Sequence, residues 1–232
     1  MKKFYAKKDG DFFIFEGEEL NHFNVLRCCV GEEILCLGLD GNDYFCKVTE
    51  VSKKRAVAQM VTMQKNTKNP SVEITVFQGM VKGEKIDLIV QKLTELGISY
   101  LYTFESDYTI AKCNNNKIER LNRISQEACK QCGRSKPLII DDGISFNDMI
   151  NMLPQYDIVL FANEKNTNRE LVNIAKDKKI ALIIGSEGGF SDEEVNKLLS
   201  VGVKCFGLGN RILRAETACI AMASIVGHMV EV

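Results

Sequence analysis

The sequence predicts an α/β protein, a parallel sheet layered with helices behind a small β-barrel, and three observations carry that prediction. Up to residue 63 the apolar residues fall in short runs rich in β-branched and aromatic side chains, the composition of strands. Beyond residue 71 apolar runs of strand length alternate with stretches of helical period, the pattern of an α/β layer. Between them Thr62-Met-Gln-Lys-Asn-Thr-Lys-Asn-Pro-Ser71 loses both periods and ends in Pro-Ser, as an exposed connection does. The expected units are 1–68 and 72–232.

In the front unit, strands are expected at Asp11–Phe15, Ile34–Leu39, Tyr44–Val51 and Ala56–Met63. Leu39-Asp-Gly-Asn-Asp43 supplies Asp-Gly turn chemistry between two of them, and Glu19–Arg27 reads as a short helix inserted among the strands. In the second unit, Val72–Gln78 is a strand and Glu84–Leu96 a helix whose buried stripe is Ile86, Ile89, Val90, Leu93 and Leu96. Gly97 then stands where a helix C-cap does. Further strands are expected at Ile98–Phe104, Leu138–Ile140, Asp157–Phe161, Ile180–Ile184 and Val203–Leu208, and further helices at Lys117–Cys132, Arg169–Lys176, Ser191–Val201 and Ala215–Val230. The strands are mostly apolar on both faces, as parallel strands under helices must be.

Composition excludes several classes. With 45% hydrophobic residues in 232 the chain can bury a full core, and no apolar run approaches a membrane span or a signal peptide, so a cytoplasmic protein is expected. The formal charge of −1 removes any global basic field, so a nucleic-acid contact has to be local. One local excess exists: Lys112, Lys117, Arg120, Arg123, Lys130, Arg134 and Lys136 face only Glu119 and Glu127. In helical projection Arg120, Arg123, Lys130 and Arg134 share one face, a candidate phosphate contact to which Arg27 is added; His22 reads as a structural neighbour of Arg27. Nine cysteines form no even framework, and Cys129-Lys-Gln-Cys132 lacks the second ligand pair of a zinc site. It reads as structural, and no metal is expected.

Ligands of open α/β sheets bind beyond the carboxyl ends of the strands, and two loops there stand out. Gly185-Ser-Glu-Gly-Gly-Phe190 precedes Ser191-Asp-Glu-Glu194, in which Ser191 and Glu194 have capping-box spacing. The loop lacks both the P-loop lysine and the GxGxxG spacing, and its carboxylates would repel a phosphate at the helix N-terminus. A neutral or cationic nucleoside fits better, as S-adenosylmethionine does. The second loop, Gly207-Leu-Gly-Asn-Arg-Ile-Leu-Arg-Ala-Glu-Thr217, sets two arginines beside glycines that can bend sharply.

Together, Gly185-Ser-Glu-Gly-Gly-Phe-Ser191 and Leu208-Gly-Asn-Arg-Ile-Leu-Arg-Ala-Glu-Thr-Ala218 resemble the paired signature of the RsmE family of the SPOUT superfamily, uridine-N3 methyltransferases of 16S ribosomal RNA. The resemblance extends to Lys82-Gly-Glu-Lys-Ile-Asp87, Gln91-Lys-Leu-Thr-Glu-Leu-Gly97, Glu127-Ala128, Gly133-Arg134, His22 and Val25-Leu-Arg27, and so covers nearly the whole chain. It implies a SPOUT-type parallel sheet with a C-terminal trefoil knot behind a PUA-like β-barrel that binds RNA, a homodimer, and methylation of uridine 1498 in the usual numbering. It also implies S-adenosyl-L-methionine as cofactor, held by Gly185, Glu187, Gly188, Gly189, Leu208, Gly209, Ile212, Leu213 and Thr217. Arg211 or Arg214 would stabilise the uridine anion, with Glu187 or Glu216 orienting the arginine or taking the proton. The chain departs from the family pattern at Ser186 and Asn210, where proline is usual, and at Tyr108-Thr109, where Arg-Ser is usual. Two other readings share these loops, a SPOUT enzyme acting on tRNA or a ribose hydroxyl and a non-catalytic RNA-binding protein.

Overall fold

The computed structural model describes residues 1–109, 115–163 and 178–231. The chain divides into two compact units, Met1–Asn69 with Cys129–Pro137, and Pro70–Ala128 with Leu138–Val232. Residues 129–137 thus return to the front unit, an excursion that a single boundary near residue 70 does not express. Among the described residues no helix is long and apolar enough to cross a membrane.

The front unit is a six-stranded sheet in the order β1-β4-β5-β6-β3-β2, curled as a half-barrel. Its strands are β1 (Lys3–Tyr5), β2 (Lys7–Asp9), β3 (Phe12–Phe15), β4 (Glu33–Leu37), β5 (Asn42–Val51) and β6 (Ala56–Lys65), with helix α1 (Gly17–Val25) between β3 and β4. Alternation in β3 buries Phe13 and Phe15 against Phe4, Phe23 and Tyr44. The Asp-Gly turn joins antiparallel β4 and β5 as expected, pairing Leu37 with Asp43. β1 and β2 escaped the sequence reading because each is only three residues long, and β2, Lys-Lys-Asp, has no apolar residue at all. β6 extends to Lys65, into the segment read as linker, through a strand end that is exposed and therefore not apolar.

The second unit is a wholly parallel six-stranded sheet, ordered β12-β10-β11-β7-β8-β9. It comprises β7 (Ile74–Gly79), α2 (Lys85–Glu95), β8 (Tyr100–Glu105), α3 (Asn115–Cys132), β9 (Ile139–Ser145), α4 (Phe146–Met152), β10 (Ile158–Ala162), β11 (Ile180–Ile184), α5 (Asp192–Ser200), β12 (Lys204–Phe206) and α6 (Ala215–Glu231), the last turn of α3 lying with the front unit. The helix expected at 169–176 lies outside the described residues. Alternation along the central strands loads two faces. Ile180, Leu182 and Ile184 pack with Ile86, Ile89 and Leu93 of α2 and Met222 and Val226 of α6. Ala181 and Ile183 face Phe77, Phe104, Phe161 and Leu198. α4 was not anticipated; Ser145 and Asp148 form its capping box.

At the carboxyl end of β7 the backbone passes very close to the loop that follows β11. A β-carbon on Gly79 would lie 2.4 Å from the Ser186 nitrogen and 2.8 Å from the Gly185 carbonyl carbon, backbone atoms that no rotamer change can clear. Gly79→Ala is therefore expected to lower the unfolding free energy by about 2 to 3 kcal/mol. Gly227→Ala, in mid-helix with Leu96 O at an ordinary 3.7 Å, should raise it by about 0.5 to 1 kcal/mol. Urea unfolding of both variants beside the parent checks the pair.

Candidate active site

The end of β10 and the loops after β11 and β12 line one cavity of about 350 Å³, large enough for a nucleoside-sized ligand. Gly185, Ser186, Glu187, Gly189 and Phe190 line it from the first loop, and Leu208, Gly209, Arg211, Ile212, Leu213 and Arg214 from the second. The two loops singled out in the sequence thus share a cavity. Gly188 and Thr217 are not among its lining residues: Gly188 faces Tyr108, and Thr217 is exposed. Glu216 also lies off the lining, with Oε2 buried and without a hydrogen-bond partner among the described residues.

The first loop is held by elements on either side of it. Ser191 and Glu194 close the capping box that their spacing predicts, Ser191 N–H donating to Glu194 Oε2 (2.9 Å) and Glu194 N–H to Ser191 Oγ (3.2 Å). Glu194 is 5% exposed, and its second oxygen accepts from Asp107 N–H at 3.0 Å. From β7, the fully buried Gln78 amide donates to Gly79 O and Gly185 O, both at 2.9 Å. Sequence reasoning missed Gln78 as a site residue, although an amide following Val76 and Phe77 at the carboxyl end of a strand was a visible signal. It also missed Lys85, Ala162 and Asn163, which line the cavity from α2 and the end of β10.

Glu187 carries the charge of the loop. Burial pushes its carboxyl up, but donation from Lys85 Nζ (2.7 Å) and Lys82 N–H (3.1 Å) outweighs this and holds it below the ordinary glutamate range. It is therefore an anion at neutral pH with one oxygen engaged, a poor proton acceptor and a good anchor. Arg211 and Arg214 are exposed, and among the described residues neither makes an ion pair. The wall is completed by the apolar Ile184, Phe190, Ile212 and Leu213. Glycine backbone for close approach, an apolar wall and a fixed carboxylate suit an adenosine-like ligand with a positive centre.

Residues 67–227 match the family model described as an RNA methyltransferase domain, and residues 15–61 match the one described as an RNA methyltransferase PUA domain. The chain belongs to the RNA methyltransferase family. Within the family it groups with proteins named ribosomal RNA small subunit methyltransferase E. It is 31% identical to the one from Aquifex aeolicus (strain VF5), across 97% of this chain and 99% of the relative. It is 29% identical to that of Bacillus subtilis (strain 168), across 94% and 91%. The crystal structure of the Neisseria gonorrhoeae protein of that name, bound to S-adenosyl methionine, superposes with a TM-score of 0.88 at 24% identity over 99% of this chain and 98% of that one. This likeness shows the α/β fold with its parallel sheet, and the PUA match places a PUA-like unit before it in the chain.

The basic stripe expected on α3 is corrected by the structure. Arg120 pairs with Asp87, and Arg123 is exposed. Lys130, however, has an 11% exposed side chain paired with Glu19 and lies over the Tyr5 ring, while Arg134 is 3% exposed. These two belong to the segment that enters the front unit, so a projection of the helix alone assigned them to solvent. Cys129 is likewise buried in that segment. Burial pushes its thiol up to about 11, and it donates to Lys136 O, in keeping with a structural role. Arg27 is exposed and holds φ 50°, a left-handed conformation that disfavours a side chain.

The Glu187 anchor has a pH consequence. A carboxyl depressed in the folded state contributes stability above its unfolded pKa, and that contribution is lost as pH falls through the lower folded value. Below about pH 4.5, the ordinary value, the parent should lose stability more steeply than Glu187→Gln, with parallel profiles above. Urea midpoints measured from pH 3 to 7 would read the difference.

Proposed function

We propose that this protein methylates the N3 position of a uridine in small-subunit ribosomal RNA, uridine 1498 in the usual numbering, with S-adenosyl-L-methionine as methyl donor. The observation that carries the reading is the shared cavity of the Gly185–Phe190 and Leu208–Arg214 loops in a chain of the RNA methyltransferase family. The backbone of Gly185, Gly189, Leu208 and Gly209 would hold the adenosine, Ile212 and Leu213 its flat face, and Glu187 the side nearest the positive sulfur. When bound, the sulfonium supplies an electrophilic methyl group.

The protein's own residues make the acceptor competent. Uridine N3 is a weak nucleophile until it loses its proton, and a guanidinium beside it favours the anion. Arg211 and Arg214 line the cavity mouth and are assigned that work. Glu187 anchors the loop, which leaves Glu216 or solvent to take the proton. Gly188 and Thr217 support the donor loops from outside the lining. Arg27 and Arg123, both exposed, contact phosphates; Arg120 does so by exchanging its pairing with Asp87. The protein works in the cytoplasm, where its ribosomal substrate is. A second copy covers exposed Leu88 on α2 and Ile225 on α6, making a homodimer, and the knot implied by the SPOUT resemblance belongs to the same proposal.

Mass spectrometry of rRNA nucleosides from a strain lacking the protein should show 3-methyluridine absent from the small subunit and restored by the gene in trans; an unchanged level contradicts the assignment. Arg214→Ala should reduce labelled methyl incorporation about a hundredfold or more without weakening cofactor binding. Arg27→Gly should stabilise the fold by about 1 kcal/mol by relieving the left-handed backbone, yet weaken RNA binding with a shallower salt dependence.

A further inference from the structure

One aromatic side chain stands beside the loop that follows β11. Tyr108, in the turn after β8, is 52% exposed, an unusual degree of exposure for an aromatic ring. The turn that carries it is rigidly tied. Ser106 N–H donates to Thr109 Oγ1 (2.8 Å) and Thr109 N–H to Ser106 O (2.9 Å). Asp107 N–H donates to Glu194 Oε1 (3.0 Å), and Ser191 Oγ to Asp107 Oδ2 (2.6 Å). Tyr108 is thereby fixed to the same helix start that holds the donor loop.

It also touches that loop. A β-carbon on Gly188 would lie 2.6 Å from Tyr108 Cβ and 3.4 Å from its Cγ, so the glycine is what lets the aromatic residue approach. Glu187 and Gly189 on either side both line the donor cavity. Asp107, Asp192 and Glu193 are all exposed within this region, while Glu187 is paired with Lys85, so the rim is acidic and favours a neutral planar group over a phosphate. An exposed ring on a tied turn beside a cavity, in an acidic rim, is a surface for the face of a nucleobase.

We propose that Tyr108 is a stacking platform for the pyrimidine that accepts the methyl group, fixing its plane beside the donor cavity. The inference rests on the methyltransferase reading and adds to it the residue that positions the base. Its contribution is through the ring face, so the phenol oxygen is dispensable.

The test compares the parent with Tyr108→Phe, Tyr108→Leu and Tyr108→Ala. Methyl transfer to small ribosomal subunits from a strain lacking the protein would be measured in steady state, and S-adenosylmethionine affinity by calorimetry. Tyr108→Phe should match the parent. Tyr108→Ala should raise KM for the subunits about tenfold or more, the range of one lost base-aromatic stack, with cofactor affinity unchanged and Tyr108→Leu in between. An unchanged KM in Tyr108→Ala overturns the proposal, as does a phenylalanine variant as impaired as alanine. So does loss of cofactor affinity in Tyr108→Ala, which would make the residue a support of the donor loop. A parent that binds the cofactor but transfers no methyl group to the subunits overturns the enzymatic reading and this inference with it.

Discussion

Close packing of backbone on backbone at the end of β7 is the constraint on which the site depends. Gly79 leaves no room for a side chain beside the Ser186 nitrogen, and the Gln78 amide ties Gly185 O to the same point. The first donor loop is thus seated on the central strand of a parallel sheet whose two faces are filled by separate apolar clusters. With one wall fixed, the second loop needs only to leave β12 on the same side for the two to face each other. Parallel strands deliver it there, because all of their carboxyl ends lie at one edge.

Electrostatics then select the ligand. A helix start normally attracts anions, yet α5 begins with Asp192, Glu193 and Glu194. Glu194 is consumed in the capping box and in the bond from Asp107, whereas Glu187 is held ionised by Lys85 and Lys82. A region with this balance disfavours phosphate and accepts a cation. The arginines stand on the opposite loop, so one cavity presents both signs of charge.

Much of this was legible in the sequence because it depends on local rules. Apolar runs of strand length located β7, β8, β10 and β11; the capping box at Ser191 and Glu194 was readable from spacing alone. The two glycine-containing loops were found for the same reason, as punctuation after strands. What escaped reading depends on distant parts of the chain. Lys130 and Arg134 looked like a solvated stripe because the return of residues 129–137 to the front unit is a tertiary event. Lys85 and Asn163 joined the cavity through sheet order, and Gly188 proved to face Tyr108, a partner 80 positions away. β1 and β2 are set by pairing with β4 and β3, and three residues apiece are too few to show a period.

The central claim is that the loops after β11 and β12 together form the binding site for a sulfonium nucleoside. A crystal structure of the protein grown with S-adenosylmethionine tests it most directly. The adenosine is expected between Gly185–Gly189 and Leu208–Leu213, with the sulfur on the side of Glu187. Density for the ligand elsewhere on the chain, with this cavity left to solvent, would contradict it.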